Sequence, residues 1–182
     1  MQPDHLFTRL KAGDVEAFDE VYRAHQPRLL SFLSRLTQRK EIAAELSQEV
    51  WLKLAQEAAW LQPDTEVVRW LFTVARNLFL SHRRWSLLDG SRLSLVALWS
   101  KDRTHDSTPE SEAMASQSQR ALDQAMQQLP LKYREAMLLV AVEKFEPTEA
   151  AAIIGITPEA FRQRLSRARE QLRVALEPGA TT

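Results

Sequence analysis

Apolar residues return at intervals of three and four through most of this 182-residue chain, and that spacing prescribes helix. Over 14–36 the apolar set is Phe18, Val21, Tyr22, Leu29, Phe32, Leu33 and Leu36, which share one helical face. Asp14, following Gly13, is placed to cap that helix. Pro27 falls inside the run. It lacks a backbone donor and crowds the preceding turn, which predicts a kink or two helices meeting there. A second helix is expected over 41–59, where Ile42, Leu46, Val50 and Leu54 repeat every four residues. Its opposite side carries Glu41, Glu45, Gln48, Glu49 and Gln56. Pro63 and Asp64 mark a turn. A third helix is then expected over 66–85, with Val67, Trp70, Leu71, Val74, Ala75 and Leu78 as its apolar face. Four glycines in the whole chain are too few for the turns of a β-rich protein, so the fold class is all-α.

The pattern decays after residue 86. The stretch 101–118 is rich in Ser, Thr, Asp and Glu and contains no aromatic residue. Such a segment cannot bury enough apolar surface to offset its ordering entropy and is expected to be flexible. The apolar stretch 93–99 is interrupted by Ser94 and far too short to span a bilayer. Periodicity returns at Leu122, Ala125, Met126 and Leu129, breaks at Pro130, and resumes with Met137, Leu138, Ala141 and Val142. Two further helices are expected over 147–154 and 158–176. The chain therefore reads as two small helical domains, 1–88 and 119–182, joined by a flexible linker over 89–118.

Composition narrows the chemistry. There is no cysteine, which removes disulfides, zinc–thiolate sites, iron–sulfur clusters and cysteine nucleophiles. His5, His25, His82 and His105 are scattered, with no paired-histidine metal spacing. No glycine-rich phosphate loop or nucleophile elbow is present, so no catalytic residue, metal or cofactor is expected. The N-terminal residues lack the apolar core of a signal peptide, and a soluble cytoplasmic protein without membrane insertion is expected. Lys and Arg total 24 against 24 Asp and Glu, so net charge alone gives no reason to expect a nucleic-acid partner. The distribution of that charge decides the matter.

Three constellations stand out. The first runs from Thr148 to Leu165. A short helix ends at Gly155, where the left-handed conformation is accessible, and Ile156 can plug between two helices. Thr157 is a good cap and Pro158 is at home in the first helical position. The helix that follows carries Arg162, Arg164, Arg167 and Arg169. This is a helix-turn-helix with a basic second helix, the element that fits the major groove of duplex DNA. The second constellation is the helix over 66–85. Arg69, Thr73, Arg76 and Arg83 share a face, Asn77 and Arg84 flank it, and Trp70, Phe72, Phe79 and Trp85 are interleaved. Cations that track a backbone beside rings that stack bases suit a single strand, although Trp70 lies on the apolar stripe and reads as core. The third is the acidic face of Glu41, Glu45, Gln48 and Glu49, which is either simply solvated or complementary to a basic partner.

Taken in order, these motifs resemble the extracytoplasmic-function sigma factors of bacterial RNA polymerase. The stretch Ala43-Ala-Glu-Leu-Ser-Gln-Glu-Val-Trp-Leu-Lys-Leu is similar to the family's polymerase-binding helix in region 2. Trp70-Leu-Phe-Thr-Val-Ala-Arg-Asn-Leu resembles the next helix, which meets the −10 promoter element. Leu129-Pro-Leu-Lys-Tyr-Arg-Glu-Ala-Met-Leu-Leu resembles the opening of region 4, and the helix-turn-helix completes it.

The resemblance implies partners and roles. Core polymerase would be bound through Glu45, Gln48, Glu49 and Leu52. A flipped base of the −10 element would be captured in the loop 60–65, by Trp60, Gln62 and Asp64. Arg69, Arg76, Asn77, Arg83 and Arg84 would hold the exposed strand. The −35 element would be met by Thr157, Glu159, Arg162, Gln163, Arg164, Ser166, Arg167 and Arg169. In that division Arg162 and Gln163 read bases and Arg164 and Arg169 anchor phosphates. Glu159 can accept a hydrogen bond from cytosine. An anti-sigma factor covering both DNA-binding domains is also implied. Ala44-Glu45 stands where Glu-Asp is usual, Ser81 where Asp is usual, Lys144 where Gly is frequent and Ala150 where Ile is frequent. A stand-alone helix-turn-helix regulator and a helical adaptor with merely solvated arginine faces are the competing readings. The basic, aromatic helix of the first domain argues against the former.

Overall fold

The structure, a computed structural model, describes residues 3–88 and 117–177. The linker expected over 89–118 lies outside the described residues apart from its last two, and so does the apolar stretch 93–99. Every element among the described residues is helical, and the chain splits into two compact units.

The first unit contains α1 (Pro3–Lys11), α2 (Val15–Thr37), α3 (Lys40–Glu57), a 3-10 turn (Ala58–Trp60) and α4 (Val67–Leu88). Gly13 turns the chain between α1 and α2 with φ +78, a conformation that a side chain would strain. Asp14 then caps α2, accepting from the Glu16 and Ala17 amides at 2.9 and 3.2 Å. Arg9 Nε donates to Asp14 Oδ2 at 2.6 Å, and this bond, followed by the amide contacts, holds the Asp14 carboxyl below its ordinary range.

Pro27 does not divide α2, which runs unbroken for 23 residues. A proline inside a helix withdraws one donor, here from the Arg23 carbonyl. Pro27 and Arg23 are both exposed, so water can satisfy that acceptor. Packing on either side holds the two halves together. Leu29, Phe32, Leu33 and Leu36 of α2 are fully buried, as are Leu54 of α3 and Leu71, Phe72 and Ala75 of α4. Phe32 and Phe72 meet edge to face at 5.1 Å. One polar tie joins α2 to α3. Gln26 Oε1 accepts from Ser47 Oγ at 3.0 Å and from Trp51 Nε1. Tyr22 lays its ring against Trp51 at 4.9 Å.

The second unit contains α5 (Gln117–Gln128), α6 (Leu131–Met137), a π-helical turn (Leu138–Val142), α7 (Pro147–Ile154) and α8 (Pro158–Leu176). Pro130 breaks the chain as expected. The Arg134 guanidinium bridges the break by donating to the Gln127 and Leu129 carbonyls at 2.7 and 3.1 Å. The π-helical turn is absent from any periodicity argument. It widens because the Glu143 amide reaches Leu138 and the Phe145 amide reaches Leu139. Lys144 leaves it with φ +63, a left-handed value that glycine adopts more easily than lysine. Glu149 reaches back to the Glu146 amide at 2.8 Å and starts α7. Phe161, Leu165 and Ala168 of α8 are buried where that helix packs on α6, and Ala136, Leu138 and Leu139 are buried with them.

Candidate nucleic-acid interfaces

The helix-turn-helix is built by local rules. Gly155 adopts φ +76 and the Ile156 amide bonds back to the Ala151 carbonyl at 3.1 Å, a glycine-dependent helix stop. Thr157 Oγ1 accepts from the Ala160 amide at 3.2 Å and Pro158 opens α8. Phe161, Leu165, Ala168 and Leu172 anchor one side of that helix in the core. Arg162, Gln163, Ser166, Arg167 and Arg169 are exposed. Thr157 and Glu159 are exposed at its start, and Arg162 Nη2 donates to Glu159 Oε1 at 2.7 Å.

Arg164 stands apart from the other arginines. Its side chain is 23% exposed and lies 3.9 Å from the carboxylate of Glu135 on α6, which is 4% exposed. Composition treats the four arginines alike, but the helical repeat does not. The structure places Arg164 beside the buried stripe, between Phe161 and Leu165.

In the first unit the expected loop over 60–65 is a short helical turn followed by a tight one. Leu61 is buried and extended. The Thr65 amide donates to the Gln62 carbonyl at 3.0 Å, with Pro63 at the second position of that four-residue turn. Gln62 and Asp64 are thereby exposed on a fixed backbone, and Trp60 beside them is 83% exposed.

On α4, Asn77, Arg83 and Arg84 are exposed while Arg69 and Arg76 are half-buried. The aromatic rings divide differently from the sequence-based expectation. Phe72 and Phe79 are buried core and cannot stack on bases. Trp70, placed on the apolar stripe, is half-buried, and Trp85 is 71% exposed. Of the expected apolar face of α4, Leu71 and Ala75 are buried, while Val67, Trp70, Val74 and Leu78 are half-buried and Phe72 and Phe79 complete the buried line instead. On α3, Glu41, Glu45, Gln48 and Glu49 are exposed, and Leu52 sits beside them with 61% of its surface in water. An exposed leucine on a polar face is the kind of residue that a partner surface covers.

Among the described residues no group of three or more His, Asp or Glu is arranged to hold a metal ion. No helix among them is long and apolar enough to cross a membrane. One residue that sequence reasoning passed over touches this region. Lys11, at the end of α1, donates to the Leu61 carbonyl at 2.5 Å.

Comparison with known proteins places both units. Residues 21–85 match the family described as Sigma-70 region 2, and residues 119–172 match Sigma-70, region 4. The RNA polymerase sigma factor CarQ of Myxococcus xanthus is 32% identical over 168 residues, 92% of this chain and 94% of CarQ. The ECF RNA polymerase sigma factor EcfG of Rhodopseudomonas palustris is 32% identical over 155 residues, 82% of this chain and 80% of EcfG. Among solved structures, the sigma factor RpoE of Bartonella quintana, crystallised with the anti-sigma factor NepR, superposes with a TM-score of 0.73 at 25% identity. That match covers 89% of this chain and 98% of RpoE. A region 2 unit followed by a region 4 unit defines the class of polymerase specificity subunits. The chain belongs to the sigma-70 family, among its extracytoplasmic-function members, and is a promoter-specific transcription initiation factor.

Proposed function

We propose a division of labour among the surfaces described above. Glu45, Gln48, Glu49 and Leu52 of α3 dock on core polymerase. The carboxylates select a basic partner and the exposed leucine supplies apolar contact. Trp60, Gln62 and Asp64 capture a base of the −10 element extruded from its stack, and Arg69, Arg76, Asn77, Arg83 and Arg84 hold the separated strand. Extrusion costs a few kcal/mol, which ring contact and phosphate contacts offset. Trp85 joins this set as an exposed ring at the far end of α4.

The second unit reads the −35 element. The observation that carries this assignment is α8, with Phe161 and Leu165 fixed in the core and Arg162, Gln163, Ser166, Arg167 and Arg169 exposed together. Arg162 and Gln163 read base edges, with Glu159 holding the Arg162 guanidinium in place. Thr157 meets the backbone where the helix begins, and Arg167 and Arg169 meet phosphates. Arg164 contributes chiefly by holding α8 to Glu135. The domain boundaries follow as 1–88 for the polymerase and −10 functions and 119–182 for the −35 function, with 89–118 between them. The protein works in the cytoplasm, where the polymerase is, and performs no catalysis of its own. An anti-sigma factor regulates it, a reading supported by the RpoE relative crystallised with NepR.

Run-off transcription with purified core polymerase and a promoter library tests the whole assignment. Initiation at a shared pair of −35 and −10 elements, dependent on both core and this protein, is the expected result. Tight duplex binding by the chain alone with no initiation would instead describe a stand-alone regulator.

A further inference from the structure

The turn that presents Gln62 and Asp64 is short, and something must fix its entry. The 3-10 turn over Ala58–Trp60 ends on Leu61, whose backbone is extended (φ −61, ψ 142). The Leu61 side chain is buried, so its carbonyl belongs to a residue that is anchored, one peptide before Gln62. That carbonyl accepts the Lys11 ammonium at 2.5 Å, across 50 residues of sequence. The same ammonium lies 5.7 Å from the centre of the Phe7 ring, one α-helical turn earlier on α1. A cation bonded to a carbonyl at the end of a helical turn is favoured by the partial charge there.

The other end of the connection is equally fixed. Arg9, two residues before Lys11, bonds Asp14 at 2.6 Å and lies 3.7 Å from Glu16 and 4.0 Å from Glu20. Leu10 between them is 2% exposed. The helix α1 is thus clamped to α2 through Arg9 and seated in the core through Leu10, while Lys11 grips the backbone at the foot of the turn.

We infer that Lys11 is a positioning residue for −10 recognition: α1 is a brace, and its Lys11–Leu61 bond sets the direction in which Gln62 and Asp64 face the extruded base. This rests on the proposed role of that turn. The bond makes no contact with DNA and acts through the backbone. Loss of a hydrogen bond to a charged group corresponds to about a tenfold effect or more.

Two measurements on Lys11→Met and Lys11→Arg in the full chain test the inference. Amide hydrogen exchange reads the turn without reference to its function. In Lys11→Met the Leu61 and Thr65 amides, which bond the Ala58 and Gln62 carbonyls, should exchange about tenfold faster, with the interiors of α3 and α4 unchanged. Holoenzyme binding to single-stranded −10 oligonucleotides, carrying each base in turn, reads selectivity. Lys11→Met should narrow the preference between best and worst base by about tenfold, leave core affinity unchanged, and regain most of the preference as Lys11→Arg. Unchanged exchange overturns the inference, and so does an equal loss for every base, which would mark a general structural brace. Gln62→Ala and Asp64→Ala run beside them. If these lose preference and Lys11→Met keeps it, the inference alone fails. If neither alters preference, the turn is not the reader and both readings fall, whatever exchange shows.

Discussion

Lys144 illustrates how much a single residue can conceal. Its φ of +63 is a conformation in which a Cβ crowds the following carbonyl. The Lys144 ammonium donates to the Ala141 carbonyl at 2.6 Å, which only partly compensates because the bond is exposed to water. Glycine adopts this φ without the clash but has more freedom to lose on folding. The clash outweighs that entropy, so Lys144→Gly should stabilise the second unit by about 1 kcal/mol in a denaturant titration. An unchanged midpoint would show that the lysine–carbonyl bond fully offsets the backbone. The left-handed backbone itself is invisible in the sequence, because lysine carries no local signal for it. Lys11 is the converse case. Nothing in the sequence around it points to residue 61, because the contact exists only once α1 and the 3-10 turn have packed together.

At the level of elements, the periodicity gave good spacing and imperfect phase. On α4, the line through Trp70, Val74 and Leu78 and the line through Phe72, Ala75 and Phe79 both satisfy a helical repeat. Spacing alone cannot say which line is centred on the core. The position of Phe32 across the interface decides for Phe72. Helix starts were more legible, since Asp14 and Thr157 cap by their own side chains and need no distant partner. Local rules for Pro27 allow a kink or two separate helices, and the second is not what forms, because they count the missing donor and not the buried residues, Val21 before it and Leu29 and Phe32 after it.

Arg164 and Arg169 put the same contrast to a test. Arg169 is exposed, whereas Arg164 faces a buried carboxylate. Arg169→Ala should lower the salt slope of promoter binding by about 1 and leave the melting curve in place. Arg164→Ala should leave the slope unchanged and destabilise the second unit by about 1 kcal/mol, because the ion pair to the buried Glu135 carboxylate is lost. Equal slope losses for the two variants would return Arg164 to the phosphates.

Across the whole molecule, charge is balanced at 24 against 24, yet its placement is uneven. Acidic residues gather on α3, and arginines gather along α4 and α8. Counterion release counts only the few phosphates that the basic faces of α4 and α8 neutralise, and the acidic residues elsewhere oppose long-range attraction, so the isolated chain should bind duplex DNA weakly. Filter binding of the isolated protein to duplex promoter DNA near physiological salt should give a dissociation constant no tighter than about 1 μM. A nanomolar constant for the chain alone would mean that its DNA surfaces work without polymerase.

The tight turn over residues 62–65 also bears on descent. Its frame depends on the buried Leu61, on Pro63 and on the bond from the Thr65 amide to the Gln62 carbonyl, which any residue at 62 supplies, while the Gln62 and Asp64 side chains are exposed. Substitutions at such exposed positions change stability by no more than about 0.5 kcal/mol. The two residues are therefore free to vary while the scaffold is held constant. On the proposed role of this turn, paralogues arising by gene duplication would need few changes to answer to different promoters while drawing on one pool of polymerase.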